Sequence, residues 1–118
     1  MILVIGGKGA GKYAYTCNTL GVAPAQIGDA KISGFDAVYN LQDYIRTERP
    51  ADLEQLADTL AEKSVVVCDE VGCGVVPIDR EEREYRERVG RLCCLLAARA
   101  KKVVRLVCGI PVLLKGEE

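Results

Sequence analysis

The sequence contains no histidine, and its six cysteines include no Cys-x-x-Cys pair. Zinc sites usually draw on both features, so their absence argues against a structural or catalytic zinc ion. No apolar run approaches the roughly 20 residues that a membrane-spanning helix needs. The formal net charge is −1, and no basic patch indicates binding to nucleic acid or to a membrane surface.

No secretory leader is indicated, because Met1 is followed by only a short apolar run before the first glycines. We therefore expect a cytoplasmic protein with reduced cysteines, in one domain covering residues 1–118. Cys68 and Cys108 lie in apolar runs and are expected to be small buried side chains. For the adjacent pair Cys93-Cys94, packing is favoured over metal or redox chemistry.

Short apolar runs alternate with segments of helical periodicity along the chain. Strands are predicted over residues 2–5, 35–41, 64–68 and 103–108, and a short one over 112–114 after an interruption at Pro111. Helices are predicted over residues 13–20, from Asp52 onward and from Asp79 to about residue 99; residues 21–34 are expected to be mostly loop. This alternation predicts an α/β fold with a mainly parallel sheet and helices on both faces.

A glycine-rich segment joins the first predicted strand to the first predicted helix. Its pattern, Gly6-x4-Gly11-Lys12, is that of a phosphate-binding P-loop, in which backbone N–H groups and the lysine surround phosphate oxygens. The fold is therefore expected to be of the P-loop NTPase type, binding ATP or GTP. The residues expected to line the nucleotide are Gly6, Gly7, Lys8, Gly9, Ala10, Gly11, Lys12 and Tyr13.

One position departs from the P-loop pattern. Tyr13 stands where a serine or threonine normally ligates Mg²⁺, and a phenol hydroxyl lies too far from the backbone to take that place. The second motif is acidic: Asp69-Glu70 follows the apolar strand 64–68 in the manner of a Walker-B site. Lys12, Asp69 and Glu70 are thus the predicted catalytic residues, with Asp69 and Glu70 as candidate Mg²⁺ ligands.

Three further segments resemble one enzyme family. They are Glu70-Val71-Gly72-x-Gly74-x-Val76-Pro77, then Tyr85-Arg86-Glu87 with Gly90-Arg91, then Gly109-Ile110-Pro111. Cobinamide kinase/cobinamide-phosphate guanylyltransferases carry N-E-V-G-x-G-[IV]-V-P, F-R-D-x-x-G-R-x-N-Q and S-G-I-P at similar places, and their P-loop reads G-G-x-x-S-G-K-S. The resemblance covers roughly residues 2–12 and 65–115.

The resemblance implies a function in cobalamin biosynthesis. Enzymes of that family phosphorylate the aminopropanol hydroxyl of adenosylcobinamide with ATP or GTP, then transfer GMP to the new phosphate through a guanylyl-histidine, and they assemble as trimers. It also implies that Arg86 and Arg91 contact phosphate or substrate, although arginines on a charged helix are often only solvated surface residues. The partners expected are a nucleotide, adenosylcobinamide and further copies of the chain.

The sequence departs from the family at the positions that carry chemistry. Without histidine, the guanylyl-histidine route is closed, and the segment that should carry it is much shorter here. Tyr13 replaces the P-loop serine, Gly9 replaces the loop arginine, Cys93-Cys94 replaces the Asn-Gln pair, and Asn40 stands for the acidic residue of the middle strand. These changes affect the sites expected for Mg²⁺ and nucleotide.

Three hypotheses follow from the sequence. The first is a nucleotide-dependent kinase (a transferase) that lacks the guanylyltransferase step. The second is a non-catalytic relative that binds nucleotide or corrinoid and has a regulatory or partner role; the third is an interaction domain without a ligand. If the loop binds phosphate, Lys12→Ala should abolish nucleotide binding and cost little stability, since a surface lysine contributes little to folding.

Overall fold

A six-stranded sheet forms the centre of the computed structural model, which describes residues 1–71 and 79–117. The strands are β1 Ile2–Gly6, β2 Ile27–Asp29, β3 Ala37–Tyr39, β4 Val65–Asp69, β5 Lys102–Val107 and β6 Ile110–Lys115. They lie in the order β2-β3-β4-β1-β5-β6. Only the β5–β6 pair is antiparallel; β1 pairs in parallel with both β4 and β5. The prediction of an α/β fold with a mainly parallel sheet is confirmed.

The helices cover the sheet unequally. They are α1 Lys12–Ala14, continued by a π-helical turn Tyr15–Thr19, then α2 Leu41–Glu48, α3 Leu53–Leu60 and α4 Arg80–Arg99, with a 3₁₀ turn at Pro24–Gln26. Helices α2, α3 and α4 pack on one face, against a core that includes Leu3 and Val66. The opposite face, which includes Val4 and Val67, receives Tyr15 and Leu20 from the segment around α1. Alternating strand residues thus point to two separate cores, as central parallel strands require.

Aspartate side chains begin helices α3 and α4, as predicted. Asp52 accepts a hydrogen bond from the backbone N–H of Gln55 at 3.0 Å, and Asp79 accepts one from Glu81 at 2.9 Å. Each satisfies an otherwise unpaired donor of the first helical turn. The reciprocal contact of a capping box does not form at α4, because Glu82 pairs with Arg46 of α2 instead.

Several element boundaries differ from the prediction. The second predicted strand was carried too far, because Asn40 has φ 58° and Leu41 already begins α2. The mostly irregular segment 21–34 contains β2. Pro111 does not interrupt a strand but lies within β6, at the sheet edge where a missing N–H is tolerated. Cys108 lies in the β5–β6 turn with φ 51° and is exposed, so its predicted burial was wrong.

Part of the family-like motif lies outside the described residues. This part is residues 72–78, which include Gly72, Cys73, Gly74 and Pro77 of the predicted loop. Among the described residues, no helix combines the length and apolarity that crossing a membrane requires.

Candidate functional site

The glycine-rich segment forms a tight loop between β1 and α1. Gly11 has φ 93°, in the left-handed region that favours glycine. Gly6 is required for a different reason: a Cβ atom there would lie 2.7 Å from the carbonyl oxygen of Leu106 on the neighbouring strand. The loop is also tied to the β5–β6 turn, since the N–H of Gly109 donates to the carbonyl of Ala10 at 2.9 Å. The glycine pattern therefore corresponds to a defined backbone geometry.

Lys12 is a buried residue with two fixed partners. Its Nζ lies 2.8 Å from Oδ1 of Asp69 and donates to the carbonyl of Gly7 at 2.6 Å. Asp69 ends β4, directly beside Gly6 at the end of β1. The structure thus brings together the predicted lysine and the predicted first acidic residue. The expectation of a surface lysine was wrong, because Lys12 is 4% exposed.

A chain of side-chain amides joins the carboxyl ends of three strands. Gln42, at 6% exposure, accepts from the N–H of Asp69 at 2.9 Å and donates to Oδ1 of Asn40 at 3.2 Å. Asn40 donates in turn to Oδ1 of Asp29 at 2.8 Å. Sequence reasoning missed Gln42 and Asp29. A search for polar residues just after each predicted strand would have found Gln42, since ligands gather at that edge of an open sheet. It would have missed Asp29, because β2 was not predicted.

We expect Gln42→Leu to destabilise the protein by about 1–3 kcal/mol, because it leaves the N–H of Asp69 without its acceptor in a largely buried place. Gln55→Leu is the matched control, since the Gln55 side chain is exposed on α3. Urea unfolding of both variants measures the effect. Equal unfolding midpoints for the two would show that the Gln42 contact contributes nothing.

Glu70 is held by an arginine that the sequence did not single out. Arg105 of β5 places Nε 2.9 Å from Oε1 and Nη2 3.1 Å from Oε2 of Glu70, a two-point ion pair. A lone charged residue inside the apolar run of β5 was the signal that could have found Arg105. Glu70 is therefore engaged elsewhere, which leaves Asp69 as the acidic residue in contact with Lys12.

Tyr13 packs against a second tyrosine. Its ring packs edge-on against Tyr39, with centroids 5.2 Å apart, and is 41% exposed. A hydrogen bond with Cys17, followed by desolvation, raises the pKa of Tyr13. Burial, and next the charge of Asp69, raises the pKa of Tyr39. Thr16, one turn later, does not replace the missing loop hydroxyl, because its Oγ1 donates to the carbonyl of Lys12 at 2.8 Å.

One of the predicted ligands, Asp69, is available to hold Mg²⁺. Of the two predicted Mg²⁺ ligands, Glu70 is bound to Arg105, so Asp69 remains. Mg²⁺ beside a nucleotide often takes one or two carboxylates together with phosphate oxygens, and Asp69 meets that need. The part of the chain that the structure describes contains no group of three or more histidine, cysteine, aspartate or glutamate residues placed to hold a metal.

The two predicted arginines lie on α4. Arg91 is exposed, whereas Arg86 is half-buried and near enough to Glu82 to help lower the pKa of that carboxyl, after the larger effect of Arg46. No contact described in the structure joins either arginine to Lys12 or Asp69. Their assignment as substrate or phosphate contacts stays a prediction.

The adjacent cysteines separate into two environments. Cys93 packs against the core beneath α4, and Cys94 is exposed. The Cys68 thiol donates to the carbonyl of Asp69 at 3.4 Å. The neighbouring Cys93 thiol and burial raise the pKa of Cys68, and the Cys68 thiol lowers that of Cys93. The predicted packing role therefore describes Cys93 and not Cys94.

This sheet, with its loop after β1, is consistent with a fold of the P-loop NTPase type. A profile of the family described as cobinamide kinase / cobinamide phosphate guanyltransferase matches residues 35–114. The match covers about two thirds of the chain, and the protein belongs to this family. The resemblance inferred from the motifs is thereby confirmed. The matched range contains Asp69, Glu70, Arg86 and Arg91 but begins after the glycine-rich loop.

Two curated relatives are similar over part of their length. The bifunctional adenosylcobalamin biosynthesis protein CobP of Pseudomonas aeruginosa is 40% identical over 70 residues, which cover 59% of this chain and 40% of that protein. The bifunctional adenosylcobalamin biosynthesis protein CobU of Salmonella typhimurium is 38% identical over 78 residues, covering 62% of this chain and 43% of that protein. The chain thus matches less than half of each relative's length.

Proposed function

We propose that the chain is a nucleotide-dependent kinase of cobalamin biosynthesis that phosphorylates the aminopropanol hydroxyl of adenosylcobinamide, using ATP or GTP. The observation that carries the proposal is the Lys12–Asp69 pair, with 2.8 Å between Nζ and Oδ1, at the mouth of a glycine-rich loop. A phosphate-binding site of this type needs a lysine after the glycine-rich loop and a carboxylate at the end of the adjacent parallel strand.

The residues of the chain have distinct parts in this reaction. Backbone N–H groups of residues 6–12 and the start of α1 surround the phosphates, and Lys12 moves from Asp69 to a phosphate oxygen. Asp69 would hold Mg²⁺, which supplies positive charge at the phosphates. The acceptor hydroxyl oxygen bonds to the γ-phosphorus as the bond to the β,γ-bridging oxygen breaks. ADP or GDP leaves, and the hydroxyl proton passes to water.

The proposed function does not include guanylyl transfer. The 118 residues contain no histidine to form the guanylylated intermediate that the family uses. A kinase of this kind would hand its phosphorylated product to a separate guanylyltransferase. By the same resemblance, we propose that the chain works as a homo-oligomer, with a trimer as the expected form.

Phosphoryl transfer tests the proposal directly. The wild type and Lys12→Met are incubated with γ-labelled ATP or GTP, Mg²⁺ and adenosylcobinamide, and labelled corrinoid is separated from nucleotide. We expect labelled corrinoid phosphate with the wild type only. Mass spectrometry of the protein after incubation with GTP should show no covalent GMP. Absence of transfer while nucleotide still binds would contradict the kinase assignment.

A second candidate is a non-catalytic relative that binds nucleotide or corrinoid and regulates a partner. The identity of Tyr13 favours it, because a phenol hydroxyl cannot take the place of the short serine or threonine side chain that normally ligates Mg²⁺. One variant distinguishes the two candidate functions. Tyr13→Ser should raise the transfer rate of an active kinase, whereas it should leave a binding protein inactive.

A further inference from the structure

A cleft outside the proposed kinase site lies between α2 and the start of α4. It has a volume of about 350 Å³, which is within the range of small-molecule sites. Its lining is mostly charged and consists of Ile45, Arg46, Arg49, Asp79, Glu81, Glu82, Glu84, Tyr85 and Arg88. None of these residues is used in the proposed phosphoryl transfer.

Arg88 has an incomplete set of hydrogen bonds. Its Nε and Nη2 atoms are buried and have no hydrogen-bond partner. These two N–H groups lie on the same edge of the guanidinium and point in parallel, the arrangement that binds both oxygens of a carboxylate or phosphate. A buried charged donor without an acceptor is costly, so native proteins seldom keep one without a reason. Arg88 therefore has an unused two-point donor edge, which is buried in this conformation and is reached by an oxyanion once the side chain turns.

Three of the four acidic residues that line the cleft already have partners, and Glu81 is the fourth. Glu82 forms a two-point pair with Arg46, at 3.0 and 3.1 Å, and its pKa is lowered by that hydrogen bond. Glu84 pairs with Arg80, and Asp79 caps α4. These contacts neutralise or occupy three of the four carboxylates. None of the four carboxylates engages Nε or Nη2 of Arg88.

One wall of the cleft is flat and rigid. The guanidinium of Arg46 stacks over the ring of Tyr85, 3.7 Å from its centroid, and the Tyr85 hydroxyl donates to the carbonyl of Gln42 at 2.9 Å. A cation stacked on an aromatic face is a stable arrangement, and guanidinium planes also stack on flat organic groups. The cleft is larger than a single phosphate group needs. The occupant is therefore an anionic group attached to a small flat body.

We propose that this cleft binds a small organic anion, with its carboxylate or phosphate held at two points by Nε and Nη2 of Arg88. The side chain already lines the cleft, so a rotation about its own torsions brings that edge to the ligand. Arg49 lines the same cleft and adds a second positive charge. The site is independent of the proposed kinase reaction and of nucleotide.

NMR of arginine Nε–H groups in the full chain tests this site. The Arg88 resonance is identified as the one that disappears in Arg88→Met, and benzoate, phenyl phosphate and inorganic phosphate are added separately. We expect benzoate or phenyl phosphate to shift the Arg88 resonance in a saturable manner. Backbone amide shifts of the cleft residues give the affinity of Arg88→Met, which should be roughly tenfold weaker or worse. The two aromatic probes share a ring, so their comparison separates carboxylate from phosphate recognition.

Arg83 supplies the control, because it is exposed on the same helix. Its resonance should not shift at concentrations that saturate Arg88, and Arg83→Met should bind the probes as the wild type does. An Arg88 resonance that stays unmoved by all three probes would overturn the proposal. Parallel, unsaturable shifts of Arg83 and Arg88 would overturn it as well, since they would indicate non-specific ion effects. Neither result would bear on kinase activity.

Discussion

Lys12→Met is expected to weaken ATP or GTP binding roughly 100-fold, because it removes charge-assisted hydrogen bonds worth up to about 3 kcal/mol. Methionine keeps the apolar stem of a side chain that is 4% exposed, so the change isolates the ammonium group. Titration calorimetry with each nucleotide measures the loss. Lys101→Met is the matched control, since Lys101 is exposed at the other end of the strands. Similar affinities for the two variants would refute phosphate binding at the loop.

The same variant also affects folding. Lys12 pairs with Asp69 at 2.8 Å. Removing the ammonium group leaves the Asp69 carboxylate, which is only 19% exposed, without its cationic partner. Breaking one side of a buried pair costs about 3–5 kcal/mol, and the partial exposure of Asp69 lowers our expectation to about 1–3 kcal/mol. Adding Asp69→Asn to Lys12→Met should recover part of this loss in urea unfolding. A double variant no more stable than Lys12→Met would show that the stranded charge is not the cause.

Gly6→Ala is expected to destabilise the protein by about 2 kcal/mol or more. The new Cβ would lie 2.7 Å from the carbonyl oxygen of Leu106, which is backbone in a paired strand and cannot turn aside. The two strands must therefore separate, as in other overpacked sites. Urea unfolding and its midpoint measure the cost.

Gly7→Ala is the control for that measurement. A Cβ at Gly7 would meet no atom within 4 Å, and its effect should stay within about 0.5 kcal/mol. If both variants lost the same stability, the close approach of β1 and β5 would not be the reason for glycine at position 6.

Local sequence patterns predicted the centre of this fold well. Continuous apolar runs predicted β1 and β4, because central parallel strands are covered on both faces. Asp52 and Asp79 begin α3 and α4, because their carboxylates accept hydrogen bonds from the first helical turn. The errors arose where tertiary structure determines where a strand ends or which residues it tolerates. Asn40 ends β3 by adopting a left-handed conformation, and Pro111 is accommodated because β6 is an edge strand. Neither fact can be read from neighbours in the sequence.

The candidate site shows the same division. Sequence motifs identified Lys12 and Asp69, which the parallel pairing of β1 and β4 brings together. The partners Gln42 and Arg105 were missed, because strand order, and not spacing along the chain, places them beside Asp69 and Glu70. A motif can thus name the residues that carry charge. It does not show which neighbour holds each of them.

The pairing of Lys12 with Asp69 gives the proposed site a means of selection. The lysine is already removed from water in the folded protein, and a carboxylate, not solvent, is the partner that an incoming group must displace. Attraction between charges rises with the charge carried, so a neutral or singly charged group gains too little to compete at such short range. For the proposed site, we therefore expect di- and triphosphates to compete with Asp69 for Lys12 more strongly than singly charged groups do.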